Sequence, residues 1–197
     1  KQMKTTTTLA IAVGITGTLL LSANRLARAD GFQQTGDQIC GKTSSFVIRR
    51  LDSQEREDFC AVYNGKVVLV VNTASRCGYT YQYEDLRKRY SLYRNRGFVV
   101  VGFPSNDFGN QEPEKENSIK KFCRLTYGVD FPMYAKTRVI GADANPLYRS
   151  LNNVAGQSPR WNFHKYLLDR EGRLVGSYAS AVEPLSCTLT EAIERLL

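Results

Sequence analysis

The sequence is poor in several residues that would announce a particular chemistry. It has one histidine, one tryptophan and two methionines in 197 residues, and none of its five cysteines has another three positions away. One histidine and no CxxC pair exclude a zinc finger and a histidine-rich metal site, and no metal is expected. The longest apolar stretch, Leu9 to Leu21, is short of the roughly 20 residues that a membrane-spanning helix needs. There is no internal repeat, no low-complexity tract and no convincing linker. What is present is an ordinary globular composition, 42% apolar and 23% charged. That excludes a disordered chain, a collagen-like repeat and a small disulfide-stapled scaffold, and the length suits one domain with a real core.

The first 29 residues read as an address. Lys4 and a threonine run precede the apolar stretch, Arg25 and Arg28 follow it, and Ala27-Arg28-Ala29 supplies a small-x-small cleavage site. Residues 1–29 are therefore expected to be a secretory signal removed after Ala29, leaving a periplasmic or secreted protein with no stable membrane insertion. The alternative is an uncleaved N-terminal anchor. The segment holds four basic residues and no acid, so its removal takes the net charge from +8 to +4. Elsewhere basic and acidic residues alternate, as in Asp85-Leu86-Arg87-Lys88-Arg89, and no aromatic-basic stripe appears; nucleic acid is not an expected partner.

Residues 30–45 are polar and predict a loose lead-in, and the folded domain is expected to span 46–197. Phe46–Arg50 and Glu57–Val62 flank Asp52-Ser53 as a hairpin. Val67–Val71 and Phe98–Phe103 are continuous apolar runs, the mark of strands buried on both faces. Between them Tyr83, Leu86, Tyr90 and Tyr93 recur at helical spacing up to Gly97. A second helix is expected from Pro113, with Ile119, Phe122 and Cys123 on one face. Phe163–Leu168 and Leu174–Tyr178 are joined by a turn at Asp169–Gly172. Thr188 and Glu191 predict a capping box for a last helix. The order βαβ, helical crossover, hairpin, helix is a thioredoxin-like α/β arrangement: a central mixed sheet flanked by helices, with an N-terminal β-hairpin.

Cys77 falls between the first buried strand and the first helix. Free backbone N–H groups and the positive end of a helix dipole there favour a negative sulfur, and Arg76 acts the same way. An accessible thiolate can attack the O–O bond of a peroxide. Thr80 stands where a dithiol enzyme would carry its second cysteine. Position alone leaves a small buried hydrophobe as an equal reading.

Three segments resemble the glutathione peroxidase family: Gly65 to Gly78, ending Ser75-Arg76-Cys77-Gly78; Phe103-Pro104-Ser105-Asn106-Asp107-Phe108-Gly109-Asn110-Gln111-Glu112-Pro113; and Trp161-Asn162-Phe163 with Lys165 and Leu167. The likeness runs from about Phe46 to the C-terminus. It implies a thiol peroxidase that reduces hydrogen peroxide or organic and lipid hydroperoxides, with Cys77 as nucleophile and Gln111, Trp161 and Asn162 around it. Neutral amide and indole donors suit that task, since they stabilise charge without titrating. Read singly, Gln111 and Asn162 are surface residues more often than catalytic ones, and a lone tryptophan is usually a core or interface aromatic. The family often has cysteine where Ser105 stands, and the nucleophile here is cysteine rather than selenocysteine.

Attack on peroxide leaves a sulfenic acid that a second thiol must resolve. Cys123 matches the resolving position of the thioredoxin-dependent branch of the family, although its place on an apolar helix face also fits a packed thiol. To reach Cys77 its helix would have to unwind, which predicts a helix of marginal stability. No bound cofactor is expected; the reductant is an external thiol, a thioredoxin-like protein or glutathione. Leu151–Arg160 is too short for the tetramer loop of some relatives, so a monomer or weak dimer is expected. Cys40 and Cys60 form a possible structural disulfide in an oxidising compartment. Cys187 reads as a packed thiol before the last helix, and His164 as a strand surface residue. The competing readings are an exported thioredoxin-fold redox-transfer protein and a non-catalytic binding protein such as a copper carrier; both lack the cysteine pair they would need.

Overall fold

Seven consecutive residues of β3 (Val67–Thr73) are buried, as are all seven of β4 (Phe98–Pro104). These two strands pair in parallel in the core of a computed structural model that describes Gln2, residues 38–41 and residues 43–197. The signal segment, Gln2 apart, and residues 30–37 of the lead-in lie outside the described residues. β3 also pairs antiparallel with β5 (Lys165–Leu168), which pairs antiparallel with β6 (Leu174–Tyr178), giving the mixed order β4-β3-β5-β6. A separate hairpin joins β1 (Val47–Arg49) to β2 (Arg56–Asp58). This is the thioredoxin-like arrangement that the strand pattern predicts.

Alternation along β3 divides the core in two. Val68 and Val70 face a cluster containing Phe59 and Tyr63 with Leu147, Tyr148 and Leu151. Val67, Leu69 and Val71 face Tyr83, Leu86 and Tyr93, Ile119 and Cys123, and Leu189 and Ile193. The first set comes from α1 (Phe59–Val62), Tyr63 just after it and α4 (Pro146–Ala155). The second comes from α2 (Gln82–Tyr93), α3 (Glu116–Tyr127) and α5 (Cys187–Glu194). Both faces of the sheet are thus covered, which is why β3 and β4 carry no polar alternation.

Several boundaries differ from expectation. β2 stops at Asp58 because its carboxylate accepts the Cys60 and Ala61 amides and caps α1, so the expected strand to Val62 becomes a helical turn. α3 begins at Glu116 rather than Pro113. At that end the Glu116 carboxylate is held by Arg49 at 2.6 Å and by the Asp52 and Lys136 amides, which fixes the chain ahead of the first turn. β5 starts at Lys165, because Phe163 is held at φ +64° and cannot extend the strand. The cap of α5 is Ser186, whose hydroxyl accepts the Leu189 amide, so Thr188 and Cys187 lie inside the first turn and the Cys187 thiol is exposed. α4 has no counterpart in the periodicity reading, although Asn145 caps it, Pro146 opens it and Gly156 closes it.

The described part of the lead-in is not loose. Ile39 is buried, and the Ile39 and Cys40 amides both donate to the Gly172 carbonyl, at 2.9 and 3.1 Å. Gly172 has φ +73°, and a Cβ there would lie 2.5 Å from the Cys40 Cβ, so only glycine fits this approach. Cys40 and Cys60 are joined by a disulfide with Cα atoms 5.2 Å apart.

His164 is buried rather than exposed on a strand. It sits edge-on to Tyr166 with ring centroids 4.7 Å apart, and its Nε2 is 2.9 Å from the Ser177 hydroxyl. Burial, reinforced by the neighbouring Lys165 charge, pushes the imidazole down to about 4. A histidine depressed below its ordinary 6.5 contributes stability that is present above that value and is lost as pH falls through 4. Relative to His164→Gln, the wild-type chain should lose up to about 3 kcal/mol between pH 6.5 and 4. Denaturant midpoints measured across that range check this; parallel curves for the two chains would show that the imidazole is not held neutral.

Candidate active site

The chain leaves β3 at Thr73 and enters α2 at Gln82 through a tightly hydrogen-bonded loop. The Thr80 hydroxyl donates to the Ala74 carbonyl at 2.9 Å and accepts the Cys77 amide at 2.9 Å. The Thr80 amide donates to the Cys77 carbonyl at 3.0 Å. Thr80, at the position where a dithiol enzyme would place its second cysteine, is therefore a buried clasp that shapes the loop. Cys77 is a free thiol at 9% exposure, and its sulfur accepts the Tyr79 amide at 3.3 Å. It lies at the edge of the core, on the stretch between strand end and helix.

The loop that follows β4 brings Gln111 to the same end of the sheet. Gly109 (φ +59°) and Asn110 (φ +52°) are both left-handed, a geometry that glycine and asparagine tolerate best, and they turn the chain back toward Cys77. The Arg76 amide donates to the Gln111 carbonyl at 3.0 Å, which ties this loop to the residue beside Cys77. The Asn162 carboxamide donates to Gln111 Oε1 at 3.0 Å, leaving the Gln111 amide N–H groups free. Trp161 is 39% exposed, its ring 5.9 Å from that of Phe108, and it borders Gly109 together with Gln111. Gln111, Trp161 and Asn162 are thus brought together, and the Arg76 contact joins them to the Cys77 loop. A cavity of about 630 Å³ opens beside Trp161, lined also by Tyr79, Arg160, His164 and Ser177.

Four residues that hold this arrangement lie in the quoted motif segments but were given no role by the sequence. Asn72, at the end of β3, donates from its side chain to the Trp161 carbonyl at 3.1 Å, and its own carbonyl accepts the Phe163 amide at 2.6 Å. The signal was available: a polar residue ending an otherwise apolar run. Phe163 takes its left-handed turn between these contacts and packs on Tyr83 at 5.3 Å. Lys165 is fully buried, donating to Gln82 Oε1 at 2.6 Å and the Ser180 carbonyl at 3.2 Å, and burial pushes its ammonium down to about 7. Glu112 is also fully buried, accepting the Ser75 hydroxyl at 3.0 Å; burial outweighs that bond and pushes its carboxyl up to about 7.

Cys123 is buried on α3 in the same core cluster as Cys77 and is likewise a free thiol. Burial pushes it up to about 11. Only Ile119 and Cys123 are fully buried among the twelve residues of α3, and Leu125 is 81% exposed. Among the described residues there is no group of three or more His, Cys, Asp and Glu side chains that could hold a metal ion, and no helix is long and apolar enough to cross a membrane.

Comparison with known proteins agrees with this geometry. Residues 45–152 match the glutathione peroxidase family model. The chain is 42% identical over 156 residues to the glutathione peroxidase homolog BsaA of Halalkalibacterium halodurans, covering 77% of this chain and 97% of that one. It is 44% identical over 138 residues to the glutathione peroxidase-like peroxiredoxin HYR1 of Saccharomyces cerevisiae, covering 68% and 83%. The crystal structure of Trgpx in apo form superposes with a TM-score of 0.62 at 34% identity, covering 81% of this chain and 95% of that one. The matched region carries the Cys77 and Gln111 loops, and the chain belongs to the glutathione peroxidase family.

Proposed function

We propose that this chain is a thiol peroxidase in which Cys77 is the nucleophile and Cys123 the resolving thiol. The observation that carries the reading is the convergence of three distant segments at the end of β3, with Gln111 bonded to Asn162 and tied by its backbone to Arg76. The Cys77 thiolate attacks one oxygen of a hydroperoxide; the S–O bond forms, the O–O bond breaks, and the alkoxide or hydroxide that leaves takes up a proton. Uncharged N–H donors of Gln111 and Trp161 stabilise the charge as it moves from sulfur to oxygen. Asn162 positions Gln111 through its amide. Cys123 then attacks the sulfenic sulfur, water departs, and an external dithiol reduces the resulting bridge.

Hydrogen peroxide and organic or lipid hydroperoxides fit a partly open site beside an exposed indole, with Arg160 as its one charged lining residue among those described. A second thiol in the chain, which would turn the oxidised site into a disulfide, supports a thioredoxin-like dithiol reductant over glutathione. A thinly packed α3 supports local unwinding as the route by which Cys123 reaches Cys77. The leader-like first 29 residues and the Cys40–Cys60 disulfide support export to an oxidising compartment, and the short Leu151–Arg160 segment supports a monomer or weak dimer. A redox-transfer role is disfavoured because Thr80, in place of a second cysteine, is committed to the loop.

With a thioredoxin system as electron source, Cys77→Ser should consume hydrogen peroxide at least about a thousandfold more slowly than wild type. Equal consumption by the two chains would overturn the assignment. Trp161→Phe and Gln111→Ala should each lower kcat/KM by about ten- to a hundredfold with the fold intact by circular dichroism. Cys123→Ser treated with peroxide should accumulate a dimedone-reactive sulfenic acid at Cys77, whereas the wild-type chain should show a Cys77–Cys123 bridge by mass spectrometry. A persistent wild-type sulfenic acid with Cys123 still reduced would remove the resolving step.

A further inference from the structure

Three polar groups act on the buried Tyr83 hydroxyl of α2: the Thr73 hydroxyl at the end of β3, the Cys123 thiol on α3 and the Glu112 carboxyl. The Tyr83 hydroxyl faces both the Cys123 thiol and the Thr73 hydroxyl. Yet Thr73 Oγ1, Tyr83 OH and Glu112 Oε1 are all sealed from solvent without a hydrogen-bond partner. Buried polar atoms are nearly always matched, and a cluster of unmatched ones weakens the packing that encloses it. Glu112 joins this cluster to the catalytic loops: its other oxygen accepts from Ser75, two residues before Cys77, and its chain neighbour Gln111 bonds Asn162.

We propose that Glu112 is a positioning residue that determines when Cys123 leaves its pocket. Protonated, it completes an uncharged pocket that keeps α3 closed over the thiol. Ionised, it places a buried charge among unmatched hydroxyls and loosens α3, so that Cys123 can swing toward Cys77. This rests on the roles given above to the two cysteines. The chemistry it gates is balanced within the chain: the Cys123 thiolate bonds to the sulfenic sulfur, the S–O bond breaks, and the departing hydroxide takes the thiol proton to form water.

The groups facing Glu112 come from every neighbouring segment. Ser75 donates to it, Lys136 favours its charge and Glu114 opposes it; Tyr83 and Cys123 are held protonated chiefly by burial, to which a charge on Glu112 adds. Burial dominates and puts its titration at about 7, above the ordinary 4.5. For an acid raised in this way, the stability it contributes is complete below about 4.5 and is lost as pH rises through 7. α3 should therefore open more readily above neutrality.

The test is amide hydrogen exchange over residues 116–127 of the reduced full chain, corrected for the intrinsic pH dependence of exchange, alongside the rate of Cys77–Cys123 bridging after one equivalent of hydrogen peroxide. Between pH 6 and 8 the wild-type protection should fall about tenfold, and bridging should accelerate with it. Glu112→Gln should hold α3 protection flat and high, and should bridge more slowly than wild type at pH 8 than at pH 6. The same pH dependence of protection in both chains overturns the inference and leaves the resolving reading intact. A wild-type chain that accumulates sulfenic acid but never bridges overturns the resolving reading, and this inference with it. Should Glu112→Gln fail to fold, Tyr83→Phe removes one unmatched hydroxyl from the same pocket and should raise α3 protection; unchanged protection is the contrary result.

Discussion

Burial of β3 on both faces is the constraint on which the rest of the structure depends. A strand covered above and below must leave the sheet between two packed layers, and its backbone polar groups must then be met from within. Thr80 meets those of Ala74 and Cys77 on one side, and Asn72 meets those of Trp161 and Phe163 on the other. The loop bearing Cys77 and the segment bearing Trp161 and Asn162 are therefore hung from the same strand end, although 84 residues separate Cys77 from Trp161. The loop from β4 completes the arrangement because β4 lies beside β3 in register, Thr73 opposite Pro104.

Electrostatics around this strand end follow from the same enclosure. Glu112 is displaced upward, Cys123 upward, Lys165 downward and His164 downward, each by burial, so each moves toward its uncharged form. Beside the Cys77 loop stand the Gln111 and Asn162 carboxamides, the Trp161 indole and backbone amides, while the Arg76 guanidinium is taken up by an exposed ion pair with Glu114. A neutral peroxide then meets a site where charge on sulfur is managed by fixed dipoles rather than by a titrating partner. Glu112, like Lys165, titrates near neutrality, and it is bonded to the Cys77 loop through Ser75.

The two cysteine pairs of the chain stand in different mechanical settings. Cys40 and Cys60 are bridged where the first described residues are pinned to the β5–β6 turn and to α1. Cys77 and Cys123 are both reduced and lie in one core cluster, one on a loop and one on a helix with little buried surface. A rigid outer staple and a thinly packed inner helix place any conformational change near the site rather than at the hairpin end.

Local chemistry made much of this legible in the sequence alone: the apolar runs of β3 and β4, the helical spacing of Tyr83 to Tyr93, and the motifs around Cys77, Gln111 and Trp161. Those features are periodic or contiguous, and residues within a few positions of one another decide them. The start of α3, the burial of His164 and the roles of Asn72, Lys165 and Glu112 were settled only by tertiary structure. Each depends on a partner 13 to more than 80 residues away, as with Glu116 and Arg49, His164 and Ser177, or Lys165 and Gln82. A side chain's protonation and a helix's first turn follow from what encloses them, and no local pattern records that enclosure.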